Sequence, residues 1–271
     1  MTQRGEIITV VSAKGGVGRT VLTVNLAIAL RKKNIRVSIV DGDFQFGDIS
    51  LALDLQSTLS ITDVVEEAEY LDQHSLVNFL NKHESGIKVL SAPEKPEQAD
   101  LITDELIYQV LHLLAIEHDY VLVDTGVGLQ ENNCAFFEKA DQILLVTNLE
   151  MATLKNTKLM LETLEALGLG DKVQIVINRS TMVSVINAAE VQEILGIEEP
   201  FYIPNDFNVA SKSLNIGVPF VVNQGKCDLS KSYFKMAEQL TSRREISVFK
   251  QKEPSVWSKL FQRSKYAKEG G

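Results

Sequence analysis

The sequence predicts an α/β fold, a doubly wound and mostly parallel sheet flanked by helices. Three observations carry this. Short apolar runs suited to buried strands recur at 7–11, 36–40, 87–90, 120–123, 143–147 and 173–177, with helical spacing between several of them. The first run opens into a glycine-rich turn and then a helix, through Ser12-Ala13-Lys14-Gly15-Gly16-Val17-Gly18-Arg19-Thr20. Two later runs lead into aspartates, Asp41 and Asp124, at the strand ends where open α/β sheets place their ligands.

The turn comes first. A strand that ends in such a loop and continues as a helix over 21–30 aims backbone N–H groups and a helix N-terminus at one point, which suits a polyphosphate. Gly15, Gly16, Val17, Gly18, Arg19, Thr20 and Val21 make up this cradle, and the Thr20 hydroxyl is placed to reach a Mg²⁺ that accompanies the phosphates. The pattern Lys14-Gly15-Gly16-Val17-Gly18-x-Thr20 resembles the deviant Walker A motif of the MinD/ParA class of P-loop ATPases. The resemblance implies ATP and Mg²⁺ as ligands, and a homodimer on ATP binding in which Lys14 crosses to the phosphates held by the other subunit. One departure stands out. Arg19 occupies the place of the usual P-loop lysine, so a wide planar fork replaces a compact ammonium. Arg19 and Lys14 are both expected to act on the phosphates.

The second strand, 36–40, leads into Asp41-Gly42-Asp43-Phe44-Gln45-Phe46-Gly47-Asp48, on the same rim as the loop. In the resembled class this is switch I, which implies that Asp43 positions or activates the attacking water and that Asp41 lies near the Mg²⁺. Residues 49–55, 61–68 and 71–82 read as helical pieces that cover the sheet, with Gly86 closing the last. The strand at 87–90 is followed by the proline-interrupted loop 91–96. Residues 103–117 place Leu106, Ile107, Val110, Leu111 and Leu114 at helical spacing, which is packing alone.

Tyr120-Val121-Leu122-Val123-Asp124 has the form of a Walker B strand, whose carboxylate serves Mg²⁺ opposite the loop hydroxyl. Gly126 and Gly128 leave the following backbone free to approach a phosphate, as a second switch would. The strand at 143–147, a helix over 153–167 stopped by Gly168 and Gly170, and the strand at 173–177 continue the alternation. Asn178-Arg179 ends the last of these, and Ile203-Pro204-Asn205-Asp206 follows later. The resemblance implies that Asn178, Arg179, Pro204, Asn205 and Asp206 wrap the adenine; ordinary turn residues are the alternative for Asn205 and Asp206. An asparagine amide can donate to and accept from a purine edge, and a guanidinium can stack on its face.

Composition limits the function classes. A chain of 271 residues with 45% apolar and 23% charged residues can bury one sizeable core. Its 27 basic and 36 acidic residues leave a net charge of −9. From Arg243 onward eight basic residues face three acidic ones, a balance of +5, so the preceding body carries −14. Such a body argues against nucleic-acid binding, which relies on cationic neutralisation of phosphates. Cys134 and Cys227 form no paired motif, which speaks against a metal or cluster carrier, and both read as free thiols. His74, His83, His112 and His118 lack metal-ligand spacing and read as helix-surface residues. With the first strand starting almost at the N-terminus and no apolar run of membrane-spanning length, the expected location is cytoplasmic, peripheral at the inner face of the membrane.

The domain reading is an ATPase domain over 1–242 and a basic linker with a short amphipathic segment over 243–271. Pro254 and Ser255 can start a new helix in which Val256, Trp257, Leu260 and Phe261 fall within an arc of about 140°, flanked by Lys259 and Arg263. This profile suits an anionic membrane surface, and docking on the protein's own body or on a partner is the alternative. Phe46-Gly47-Asp48-Ile49-Ser50-Leu51-Ala52-Leu53-Asp54-Leu55 and the Ala92-Pro93 segment are similar to the CpaE/TadZ branch, which localises pilus-assembly machinery, although that branch carries a receiver-like domain before the loop. The function read from all this is a slowly hydrolysing ATP switch that dimerises and positions a cell-envelope or pilus-type assembly through a protein partner. A non-hydrolysing ATP-dependent scaffold, motivated by Arg19, and a MinD-like or flagellar-number-type placement regulator are the alternatives.

Overall fold

Eight strands join in a single sheet in the computed structural model, which describes residues 4–31 and 35–252. They are β1 (Glu6–Ser12), β2 (Val37–Gly42), β3 (Asn81–Lys82), β4 (Lys88–Leu90), β5 (Tyr120–Thr125), β6 (Gln142–Thr147), β7 (Val173–Ile177) and β8 (Phe201–Tyr202). Their order across the sheet is β3-β4-β2-β5-β1-β6-β7-β8. Every neighbouring pair runs parallel except β3 with β4. The chain leaves β1 toward β2 on one side and arrives at β6 on its other side, so the carboxyl end of β1 lies where the connections part and a crevice forms.

The helices are α1 (Arg19–Leu30), α2 (Ile49–Ala52), α3 (Ile61–Glu66), α4 (Gln73–Leu76), α5 (Asp104–Glu117), α6 (Glu131–Lys139), α7 (Met151–Ala166), α8 (Ala188–Leu195), α9 (Phe207–Ile216), α10 (Phe220–Asn223) and α11 (Asp228–Lys252). Successive strand residues point to opposite faces, and both faces are covered, which is why the strands read as continuous apolar runs. Ile8 and Val10 pack with Leu22 and Leu26 of α1 and with Tyr233, Met236 and Leu240 of α11. Ile7, Val121 and Val123 face Leu106, Val110 and Leu114 of α5. Ile143, Leu145, Ile175 and Ile177 pack with Leu154 and Leu161 of α7 and Val191 of α8. Among the described residues no helix is long and apolar enough to cross a membrane.

The structure corrects several expected elements. Residues 71–82 are not one helix: after α4 and a 3₁₀ turn at Val77–Phe79 the chain enters β3. There Asn81 and Lys82 pair antiparallel with Val89 and Lys88, and the Asn81 amide donates to the Leu59 carbonyl at 2.8 Å. Gly86, with φ 87°, therefore turns a hairpin rather than closing a helix, because pairing with a distant strand outweighs local periodicity. The helix expected over 49–55 stops at Ala52, where Asp54 adopts φ 47°. Helices α6, α8, α9, α10 and α11 and the edge strand β8 were not foreseen in the sequence. His74 and His112 are exposed on helices as expected, but His83 and His118 are buried, at 6% and 4% exposure. His118 ends α5 with its ring against the Leu114 carbonyl, and burial pushes its pKa down to about 4. Neither Cys134 nor Cys227 is in a disulfide. The backbone of α11 continues past the expected boundary at 242, and the amphipathic segment with Val256, Trp257, Leu260 and Phe261 lies outside the described residues.

Candidate functional site

The glycine loop joins β1 to α1, and its shape rests on side chains from elsewhere. Gly18 precedes α1 with φ 96°, a left-handed conformation that suits glycine. The Asn178 amide, at the end of β7, donates to the Val17 carbonyl at 2.7 Å, and a Cβ on Gly18 would collide with that amide. Arg179, itself at φ 52°, donates to the Gly16 carbonyl at 3.2 Å. Gly18→Ala is expected to destabilise the protein by about 1–2 kcal/mol through left-handed strain and displacement of Asn178. Urea unfolding of parent and variant measures this, and equal midpoints would refute it.

Behind the loop sits an acidic cluster. Asp41 and Asp124 are register partners on β2 and β5, each 1% exposed. Thr20 donates its hydroxyl to Asp124 Oδ2 at 2.7 Å, and Thr23, one turn further along α1, donates to Oδ1 at 3.0 Å. Asp41 accepts from the Ile49 N–H at 3.0 Å and the Asp43 N–H at 3.4 Å. Burial first, then the charge of Asp124, holds Asp41 well above the ordinary carboxylate range. Burial likewise raises Asp124 to about 6, opposed by Arg19 and the two threonine hydroxyls. Arg19 bridges the cluster. Its guanidinium donates to Asp43 Oδ2 at 3.1 Å and to the Ser12 hydroxyl at 3.3 Å, while its Nε lies 3.5 Å from Asp124 Oδ1 without a hydrogen bond.

A cavity of about 480 Å³ opens beside this cluster, a size that suits a nucleotide-sized ligand. It gathers Gly16, Gly18, Arg19, Thr20 and Val21 from the loop with Asn178, Arg179, Pro204, Asn205 and Asp206 from the far end of the sheet. Asp206 is also occupied as the cap of α9, accepting from the Val209 N–H at 3.1 Å, and the Asn205 N–H donates to Thr181. Val17 is buried in the core, and Asp41 borders a second cavity of about 440 Å³ behind Gly47. Lys14 pairs with Glu150, at the start of α7, across 3.8 Å.

Sequence reading overlooked three contributors. Thr23 could have been found as a polar residue on an apolar helix face, one turn after Arg19. Asn133, whose buried amide donates to the carbonyls of Gly126 and Gly128, and Ser12, whose carbonyl accepts from the Gly128 N–H, have no local signature. The donor set of Thr20, Asp41, Asp43 and Asp124 is all hard oxygen, which fits Mg²⁺.

A glycine loop and helix N-terminus meeting buried hydroxyl and carboxylate groups at a sheet switch point define a P-loop nucleotide-binding protein. The AAA domain family, AAA_31, matches residues 5–177, so the chain belongs to that family, and it is a P-loop ATPase of the MinD/ParA class. It is 29% identical over 225 residues to the putative septum site-determining protein MinD of Guillardia theta, covering 81% of this chain and 82% of that one. To the septum site-determining protein MinD of Thermotoga maritima it is 26% identical over 243 residues, covering 87% and 88%. A ParA family ATPase from Chlorobium tepidum shares the fold with a TM-score of 0.81 at 25% identity, covering 87% of this chain and 99% of that one. The septum site-determining protein MinD of Pyrococcus horikoshii, complexed with Mg-ADP, matches with a TM-score of 0.77 at 25% identity, covering 89% and 98%.

Proposed function

We propose that the chain is an ATP-dependent placement regulator: it binds ATP with Mg²⁺ in the 480 Å³ cavity, pairs with a second copy, and reverses the pairing by slow hydrolysis. The supporting observation is the convergence on one rim of the glycine loop, the Thr20 and Asp124 pair and the Asp43 carboxylate. In this reading the loop from Gly15 to Val21 holds the phosphates, with Gly16, Gly18, Arg19, Thr20 and Val21 lining the cavity, and Asn178, Arg179, Pro204, Asn205 and Asp206 hold the adenine. Thr20 and Asp124, with Asp41 behind them, hold the magnesium, which when bound offsets phosphate charge. Asp43 orients the attacking water, and Lys14 reaches the phosphates of the second copy. The septum-site names of the MinD relatives support a role in placement. An envelope or pilus-type assembly as the cargo rests on the similarity of 46–55 to the CpaE/TadZ branch.

Isothermal titration of the full chain with ATP and magnesium is expected to show one site per chain; no heat of binding would overturn the reading. Avidity links pairing to the membrane. One short tail bearing Val256, Trp257, Leu260 and Phe261 binds lipid weakly, whereas two in one dimer gain about 10²-fold or more. Co-sedimentation with anionic liposomes is expected to rise with ATP and to vanish on removal of 254–271; equal binding with and without ATP would end the coupling. A scaffold that binds ATP without turning it over is the second reading, favoured by the contact between Arg19 and Asp43, which occupies the carboxylate assigned to the water.

A further inference from the structure

We propose that the guanidinium of Arg19 is a built-in counter-ion that keeps Asp43 and Asp124 closed to a divalent cation until an anion in the glycine loop draws it away. The first half stands on the geometry alone, and the second rests on the reading of the loop as a phosphate cradle. Arg19 begins α1, and its side chain is only 10% exposed, wedged between Asp43 and Asp124, which are 23% and 1% exposed. Every group that would face a cation is engaged within the protein. Asp43 Oδ2 accepts from Arg19 at 3.1 Å, Asp124 Oδ1 faces Arg19 Nε at 3.5 Å and accepts from Thr23, and Asp124 Oδ2 accepts from Thr20 at 2.7 Å.

Magnesium requires near-octahedral oxygens at about 2.0–2.1 Å, and carboxylates turned toward a guanidinium do not present that geometry. A planar fork can span two carboxylates at once, which a compact ammonium cannot, so this closure follows from arginine standing at position 19. The hold is incomplete, because Arg19 Nε is buried without a hydrogen-bond partner. An anion bound in the cavity that Arg19 lines with Gly16, Gly18 and Thr20, offering bidentate acceptors, competes directly for the fork. Arg19 thus becomes a positioning residue that orders events: phosphate engagement first, cation coordination second.

The test uses the nucleotide-free full chain and Mn²⁺, followed by electron paramagnetic resonance. Arg19→Gln is expected to bind one Mn²⁺ at least ~10-fold more tightly than the parent, because a cation is removed from beside two carboxylates. The gain is expected to disappear in Arg19→Gln combined with Asp124→Asn. Arg19→Met, which removes both charge and fork and keeps an unbranched stem, serves in the same two comparisons should Arg19→Gln not fold. Equal Mn²⁺ affinity in parent and folded single variant would overturn the proposal, as would a gain that survives loss of the Asp124 carboxylate. Failure of the ATP titration would instead defeat the proposed function and leave the Mn²⁺ result standing.

Discussion

Asp124→Asn is expected to abolish ATP turnover, by at least ~10³-fold, and at the same time to make the nucleotide-free protein more stable at pH 7. The two effects share one cause. The Asp124 carboxyl is 1% exposed and titrates at about 6 rather than the ordinary 3.8, because burial outweighs the help of Arg19, Thr20 and Thr23. The folded chain therefore holds a proton more tightly than the unfolded chain. Stability from the neutral form is present below pH ~4, is lost as pH rises to about 6, and leaves the charged form costing about 3 kcal/mol at pH 7. Asparagine removes the charge and keeps the shape. The variant's melting temperature should exceed the parent's by several degrees at pH 7, with the difference shrinking toward zero near pH 4. Asp41 is shifted in the same direction and is partly relieved by the same substitution. Paired thermal melts across pH 4–8 measure this, and a variant less stable than the parent at pH 7 would show that the hydroxyl and guanidinium contacts outweigh the burial of charge.

Lys14→Ala is expected to leave ATP bound while removing ATP-dependent self-association and lowering turnover by at least ~10²-fold. The loop backbone proposed to hold the phosphates does not depend on this side chain. Among the described residues the lysine has a loose partner, Glu150 at 3.8 Å, with both side chains nearly half exposed. An exposed pair of this kind is worth under about 1 kcal/mol, so Lys14 can leave it for a phosphate on a second copy. Light scattering with ATP reads the association, and a variant that still pairs would remove Lys14 from the interface. Glu150→Gln serves as the companion, expected to change stability by less than about 0.5 kcal/mol.

Most of the sheet was legible because parallel strands buried on both faces must be apolar throughout, and β1, β5, β6 and β7 announce themselves so. The glycine loop was legible for a similar reason: phosphate approach demands residues without side chains at fixed spacing. Short elements were not. β3 and β8 have two residues each, too few for any period, and exist because a neighbouring strand offers its edge.

Local sequence alone is therefore enough to propose which residues meet a phosphate, since Gly16, Gly18 and Thr20 follow one another along the chain. The charge state and pairing of the acidic groups are a different matter. Asp43, Asp124 and Arg19 are far apart in sequence, and only the packing of β2, β5 and α1 puts one guanidinium between two carboxylates. The penalty on a buried charge depends on everything around it, and that surrounding exists only once the chain has folded.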